Sequence, residues 1–170
     1  MEGADGPSPR FDVDAEAGIG QIEHPVILGG GSSYKECLNQ TPVNDGCWSG
    51  ERGESTFFSG KDSVRSITMD RGVDYSGARP DFNPYSAADV EIEGMSTNRR
   101  TNFRLADEKL ASEMGVSRLD VTQWREQSKY TWQEDNTTRM QLVPSPVNSE
   151  HGHLGGVAEL KRLQKKSGGQ

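Results

Sequence analysis

The last quarter of this chain carries its structural signals in a telling order. Two short strand-like runs, Tyr130-Thr131-Trp132-Gln133-Glu134 and Arg139-Met140-Gln141-Leu142-Val143-Pro144, flank a polar hairpin tip. They are followed by Asn148, then His151-Gly152-His153-Leu154-Gly155-Gly156, where a glycine pair opens a helix-prone stretch. Such an order predicts a hairpin with a helix behind it, which brings side chains near the end of the first strand toward the segment preceding the helix.

Upstream of the hairpin the helical signal is strong. Phe103, Ala106, Leu110, Ala111 and Met114 form one apolar stripe, and Gly115 is a natural stop. Ser117 stands three residues before Asp120, a capping-box pattern that leads a second short helix through Leu119, Val121 and Trp124. These helices are expected to pack beside the hairpin rather than supply its chemistry.

The rest of the chain is sparser. Hydrophobic residues are 31% and Gly is 20 of 170, a balance that supports a modest core and much irregular backbone. Residues 1–45 read as a linker or loosely packed lead-in, with one edge strand expected at Ile22–Leu28. Residues 46–95 read as an irregular support region: a short helix from Asp62 to Met69 ending near Gly72, an extended or turning Pro80–Ser86, and a strand at Ala88–Glu93. Residues 96–170 carry the hairpin and its helices. Cys37 and Cys47 fit a disulfide or two thiols equally, and no apolar run is long enough to span a membrane.

The formal net charge of -7 argues at first against a nucleic-acid partner. Divided, it reads differently. Residues 1–96 hold 7 basic and 17 acidic side chains, net -10, whereas residues 97–170 hold 12 basic and 9 acidic, net +3. The basic excess sits in the half with the hairpin, and Arg99, Arg100, Arg139, Lys161 and Arg162 are the candidates for a phosphate track.

Six segments, in order, resemble the polymorphic-toxin nucleases of the HNH/endonuclease VII (His-Me finger) superfamily, in the branch named for a Trp-His-His motif. They are Pro80–Ser86; Gly94-Met95 with Arg99-Arg100 and Asn102-Phe103; Ala106-Asp107-Glu108; Tyr130-Thr131-Trp132; Met140–Pro144; and His153-Leu154-Gly155-Gly156. The resemblance implies an α+β fold with a ββα-metal hairpin and helix, behind an irregular N-terminal half. It implies a metal-dependent endonuclease cutting DNA with a divalent cation, Mg²⁺ first, with Zn²⁺, Ni²⁺ or Mn²⁺ as alternatives. It further implies a cognate immunity protein, a larger delivery protein, and secretion or injection by a bacterial secretion system into a target-cell cytoplasm.

By position, the family places histidines at 133, 148 and 153 and a histidine or acid at 134. This chain has Gln133, Asn148, His153 and Glu134. Position 133 is that of the general base, His153 a metal ligand, Glu134 and Asn148 further ligands or orienting groups. A carboxamide is no base at neutral pH, so Gln133 is expected to disable proton abstraction. Three explanations follow: a deliberately inactivated copy, a naturally degenerate one, or recruitment of His151 as a replacement base. The alternative outside enzymology is a ββα binding module that engages an immunity protein or nucleic acid without cutting.

Overall fold

The structure, a computed structural model, describes residues 33–168. The edge strand expected at 22–28 lies outside them. Helix α1 spans Tyr34–Leu38. A four-stranded antiparallel sheet follows, in the order β1 (Gly46–Trp48), β2 (Thr56–Ser59), β3 (Val73–Ser76), β4 (Arg79–Pro80), with α2 (Asp62–Thr68) between its second and third strands. This is more regular structure than the composition of 46–95 indicated. Its strands are only two to four residues long, too short to show an alternating pattern. The α2 helix ends at Met69, whose φ of 50° is left-handed, and not near Gly72.

The second sheet has the order β5 (Ala88–Glu91), β7 (Arg139–Pro144), β6 (Tyr130–Glu134), all antiparallel. The expected hairpin is β6–β7, with Trp132 opposite Leu142 and Gln133 opposite Gln141. Its tip is held by Asn136, whose Oδ1 accepts from the Thr138 and Arg139 amides at 2.8 and 2.7 Å, a short polar side chain standing in for backbone in a tight turn.

Helix α3 (Arg99–Met114) starts at Asn98, which accepts from the Arg100 and Thr101 amides, and stops at Gly115 with φ 69°. Helix α4 (Arg118–Gln127) opens on the reciprocal Ser117–Asp120 capping box. Two further helices close the chain, α5 (Ser145–Glu150) and α6 (Gly156–Ser167). The first was not evident in the sequence because Pro144 and Pro146 argue against helix, yet proline is tolerated in a first turn, where its missing N–H would have had no partner.

Strand β7 is buried along both faces and divides the interior. Met140 and Leu142 point into a core with Val90, Ile92, Ala106, Leu110, Val121 and Trp132, under α3 and α4. Val143, one residue along, points the other way, into a core with Phe57, Val64, Val73, Phe82 and Val147 that joins the first sheet to α5. The alternation of a strand assigns Trp132 to the first core and its neighbour Gln133 to the opposite face. Of the two cysteines, Cys37 is buried and Cys47 exposed, both as thiols.

Candidate active site

Trp132 fixes β6 from one side. Its indole Nε1 donates to Asp107 Oδ1 at 2.7 Å, and Asp107 also accepts from Thr122 Oγ1 at 2.8 Å and from Arg125 Nε and Nη2 at 3.1 Å each. One buried carboxylate thereby ties α3, α4 and β6 together.

On the other face, Gln133 meets the segment ahead of α6. Its amide Nε2 lies 3.1 Å from His153 Nε2 and donates to the Glu134 carbonyl at 3.1 Å. His153 Nδ1 is 2.8 Å from the His151 carbonyl. A carbonyl only accepts, so Nδ1 carries the proton and Nε2 presents its lone pair to the Gln133 amide. Residues 133 and 153, twenty apart in sequence, share one hydrogen bond. Phe82 packs edge-on against the His153 ring at 5.4 Å. Burial is the main cause that holds the His153 imidazole below its ordinary 6.5; Arg99 and Arg79 act in the same direction, while the bond to the His151 carbonyl and the charge of Asp135 oppose them.

The glycine pair has a steric reason. A Cβ on Gly156 would lie 2.0 Å from the Asn136 carbonyl oxygen, and one on Gly155 would lie 3.0 Å from that of Glu134. The start of α6 touches the hairpin tip backbone to backbone, and this contact carries His153 to Gln133.

The other candidates divide. Glu134 is 2% exposed, with Oε2 at 3.6 Å from Arg99 Nε. The Oε1 of Glu134, Oε1 of Gln133 and Oδ1 of Asn148 are buried without a hydrogen-bond partner among the described residues. His151 does not join the Gln133–His153 pair through its ring. It is 0% exposed, with Phe57, Tyr75 and Phe82 around it at 5.7, 6.4 and 6.3 Å and Nδ1 bonded to the Val147 carbonyl at 2.7 Å. Its Nε2 faces Phe57 without a well-aligned bond, and burial pushes its pKa down. What it offers the site is its backbone carbonyl.

Among the candidate phosphate contacts, Arg99 and Arg100 are exposed at the start of α3 and Lys161 is exposed on α6. Arg139 is engaged by Asp89 at 3.1 Å, Asp135 at 3.2 Å and Asn83 at 2.9 Å, and Arg162 pairs with Glu36. Sequence reasoning missed Arg79, on β4, because a single arginine ahead of a proline carries no periodic signal. It also missed Asn83, whose Oδ1 accepts from Arg139 and, at 3.0 Å, from Gln141. Open hollows near Arg125 and Tyr130, and near Leu105 and Thr138, hold no histidine.

The sequence profile of the DNase/tRNase domain of colicin-like bacteriocins matches residues 71–155, half of the chain. The chain belongs to this family. It is therefore a nuclease toxin domain, and the matched span runs from the approach to β3 through the hairpin to His153 and Gly155. No curated protein matches the chain. No helix among the described residues is long and apolar enough to cross a membrane.

The donor set can be compared with the cation that the superfamily resemblance implies. Among the described residues, no three His, Cys, Asp or Glu side chains are grouped to hold a metal ion. What stands at the candidate positions is one imidazole, one carboxylate and two carboxamides, with three buried oxygens lacking partners. Oxygen donors of this kind suit a hard cation such as Mg²⁺ or Mn²⁺ better than Zn²⁺.

Proposed function

We propose that this toxin domain is built as a metal-dependent DNA endonuclease of the His-Me finger type, with its reaction cleft where β6 meets the segment 148–156, and that Gln133 leaves this copy with little or no cleavage. The observation that carries the reading is the 3.1 Å contact between Gln133 and His153, since it unites the two positions the reaction needs.

When bound, a divalent cation would stabilise charge on the phosphate and the leaving oxygen. His153, Glu134 and Asn148 are the groups to hold it, with the Gln133 Oε1 beside them. The chain's own part is orientation. The His151 carbonyl fixes the His153 tautomer, Trp132 and Asp107 anchor the strand bearing residue 133, and Phe82 limits the motion of the imidazole. Proton abstraction from water is the step this sequence lacks, because an amide at 133 cannot accept a proton at neutral pH. Loss of a general base typically lowers the rate ~10²–10⁴-fold. His151 is a poor substitute, since its ring is enclosed by three aromatic side chains.

The domain is proposed to travel as the warhead of a larger secreted or injected bacterial protein, to act in the target-cell cytoplasm, and to be held in check by a cognate immunity protein. The family membership supports this, as does the positive balance of residues 97–170.

The test is plasmid nicking with Mg²⁺ by the chain and by Gln133→His. The variant is expected to nick and the parent to do so weakly or not at all; equal activity removes the base assignment from position 133. A second reading, a ββα module that binds without cutting, is favoured by the way the Gln133 amide caps the His153 lone pair. It predicts duplex binding by both proteins and cleavage by neither.

A further inference from the structure

Arg79 stands apart from the other arginines withdrawn from solvent. Arg52 donates to the Leu38 carbonyl and the Thr41 hydroxyl, Arg125 is paired with Asp107, Arg139 with Asp89 and Asp135, and Arg162 with Glu36. Arg79 is half-buried, yet among the described residues its guanidinium has no ion pair or hydrogen bond. Drawing a fixed positive charge from water without a partner is unfavourable unless a ligand supplies one.

Its place in the fold indicates which ligand. Arg79 pairs with Ser76 across β3–β4, next to the Tyr75–Pro80 pair. Tyr75 donates to the Gly152 carbonyl at 3.3 Å, and Phe82, three residues beyond Arg79, packs on His153. These two contacts clamp the strand of Arg79 against the segment that carries His153. From α3 comes Arg99, whose only ion-pair contact among the described residues is the 3.6 Å approach to Glu134. Arg99 and Arg100 occupy the first turn of α3, which has no acidic residue there. The helix dipole disfavours cations at that end, so stability alone does not account for them.

We infer that Arg79 and Arg99 form a two-sided grip for a nucleic-acid phosphate at the edge of the Gln133–His153 site, with Arg79 awaiting that anion as its missing partner. The inference rests on the nuclease reading above and adds to it the group that docks the phosphodiester. A planar guanidinium can offer two parallel donors to phosphate oxygens, which a lysine cannot.

The experiment is fluorescence anisotropy of a short labelled DNA duplex in EDTA, across a salt series, for the chain and for Arg79→Ala, Arg79→Lys, Arg99→Ala and the control Arg104→Ala. Thermal melts confirm that each variant is folded. Arg79→Ala is expected to weaken binding about tenfold and to lower the salt slope by about one. Arg79→Lys should restore the slope but only part of the affinity, Arg99→Ala should resemble Arg79→Ala, and Arg104→Ala should match the parent, since Arg104 pairs with Glu108. Parent-like binding and slope in Arg79→Ala overturn the grip, as does failure of the parent to bind duplex at all. The same substitution in the Gln133→His background separates the two ideas. Undiminished cleavage there with unchanged KM removes Arg79 and leaves the nuclease reading, whereas Arg79-dependent binding with no cleavage by Gln133→His removes catalysis and leaves the grip.

Discussion

The Asp107 carboxylate holds the site from behind, and its removal gives a sharp quantitative expectation. Its side chain is 3% exposed and that of Arg125 10%. Four donors converge on its two oxygens, two of them from the Arg125 fork, one from Trp132 and one from Thr122. Bonds to a charged group contribute about 1.5–3 kcal/mol each when deleted singly, but they share one acceptor group and do not add. The dominant cost of Asp107→Ala is a buried guanidinium without its anion, about 3–5 kcal/mol. The nearest relief, Glu126, sits 4.0 Å from Arg125 Nη2 and is itself 67% exposed, so it restores little. Against a typical domain stability of about 5–15 kcal/mol, the variant should lose much of its folding free energy. Urea unfolding followed by tryptophan fluorescence measures it. Asp107→Asn keeps an acceptor for the indole but leaves the guanidinium equally without its anion, so it should lose nearly as much as Asp107→Ala, about 3 kcal/mol or more. Asp107→Ala with Arg125→Met should be more stable than Asp107→Ala alone, because no charge is left stranded. A loss below about 1 kcal/mol for Asp107→Ala, the range of an exposed pair, or a double variant that loses the sum of its singles, would refute the argument.

Two further outcomes follow from the geometry. Gly156→Ala should lower stability by about 1–3 kcal/mol and disturb the placement of His153, because the added carbon meets the Asn136 carbonyl at 2.0 Å; Gly50→Ala, with its nearest contact at 3.4 Å, should be nearly neutral in the same denaturation assay. Burial, aided by the Glu150 charge, pushes the Tyr75 phenol far above its ordinary 10.0. The unfolded chain then releases that proton near 10.0 while the folded chain keeps it, so the stability is present below that pH and is lost as pH rises above it. Tyr75→Phe should flatten this alkaline loss in thermal melts taken across the range, and at neutral pH should cost no more than about 1 kcal/mol for the long bond to Gly152. An unchanged alkaline slope would show that other groups govern it.

Elements whose signals are local were legible from the residues alone. Gly115 and the Ser117–Asp120 box mark helix ends through backbone chemistry that needs no distant partner, and the two runs around Asp135–Thr138 close into the hairpin they predict. Family-like segments also located the nuclease toxin character, which the match over 71–155 establishes. Other features could be decided only in three dimensions. The first sheet was hidden because its strands are too short to display a period. That Trp132 and Gln133 belong to opposite faces follows from the pleat, but which face meets His153 depends on where α6 packs. The same packing sorts the cations: Arg139 and Arg162 look like Arg79 in sequence, and only the folded neighbourhood gives the first two their carboxylates and, among the described residues, leaves the third without one. Charge partners come from residues far apart along the chain, so their assignment is a property of tertiary contact rather than of local pattern.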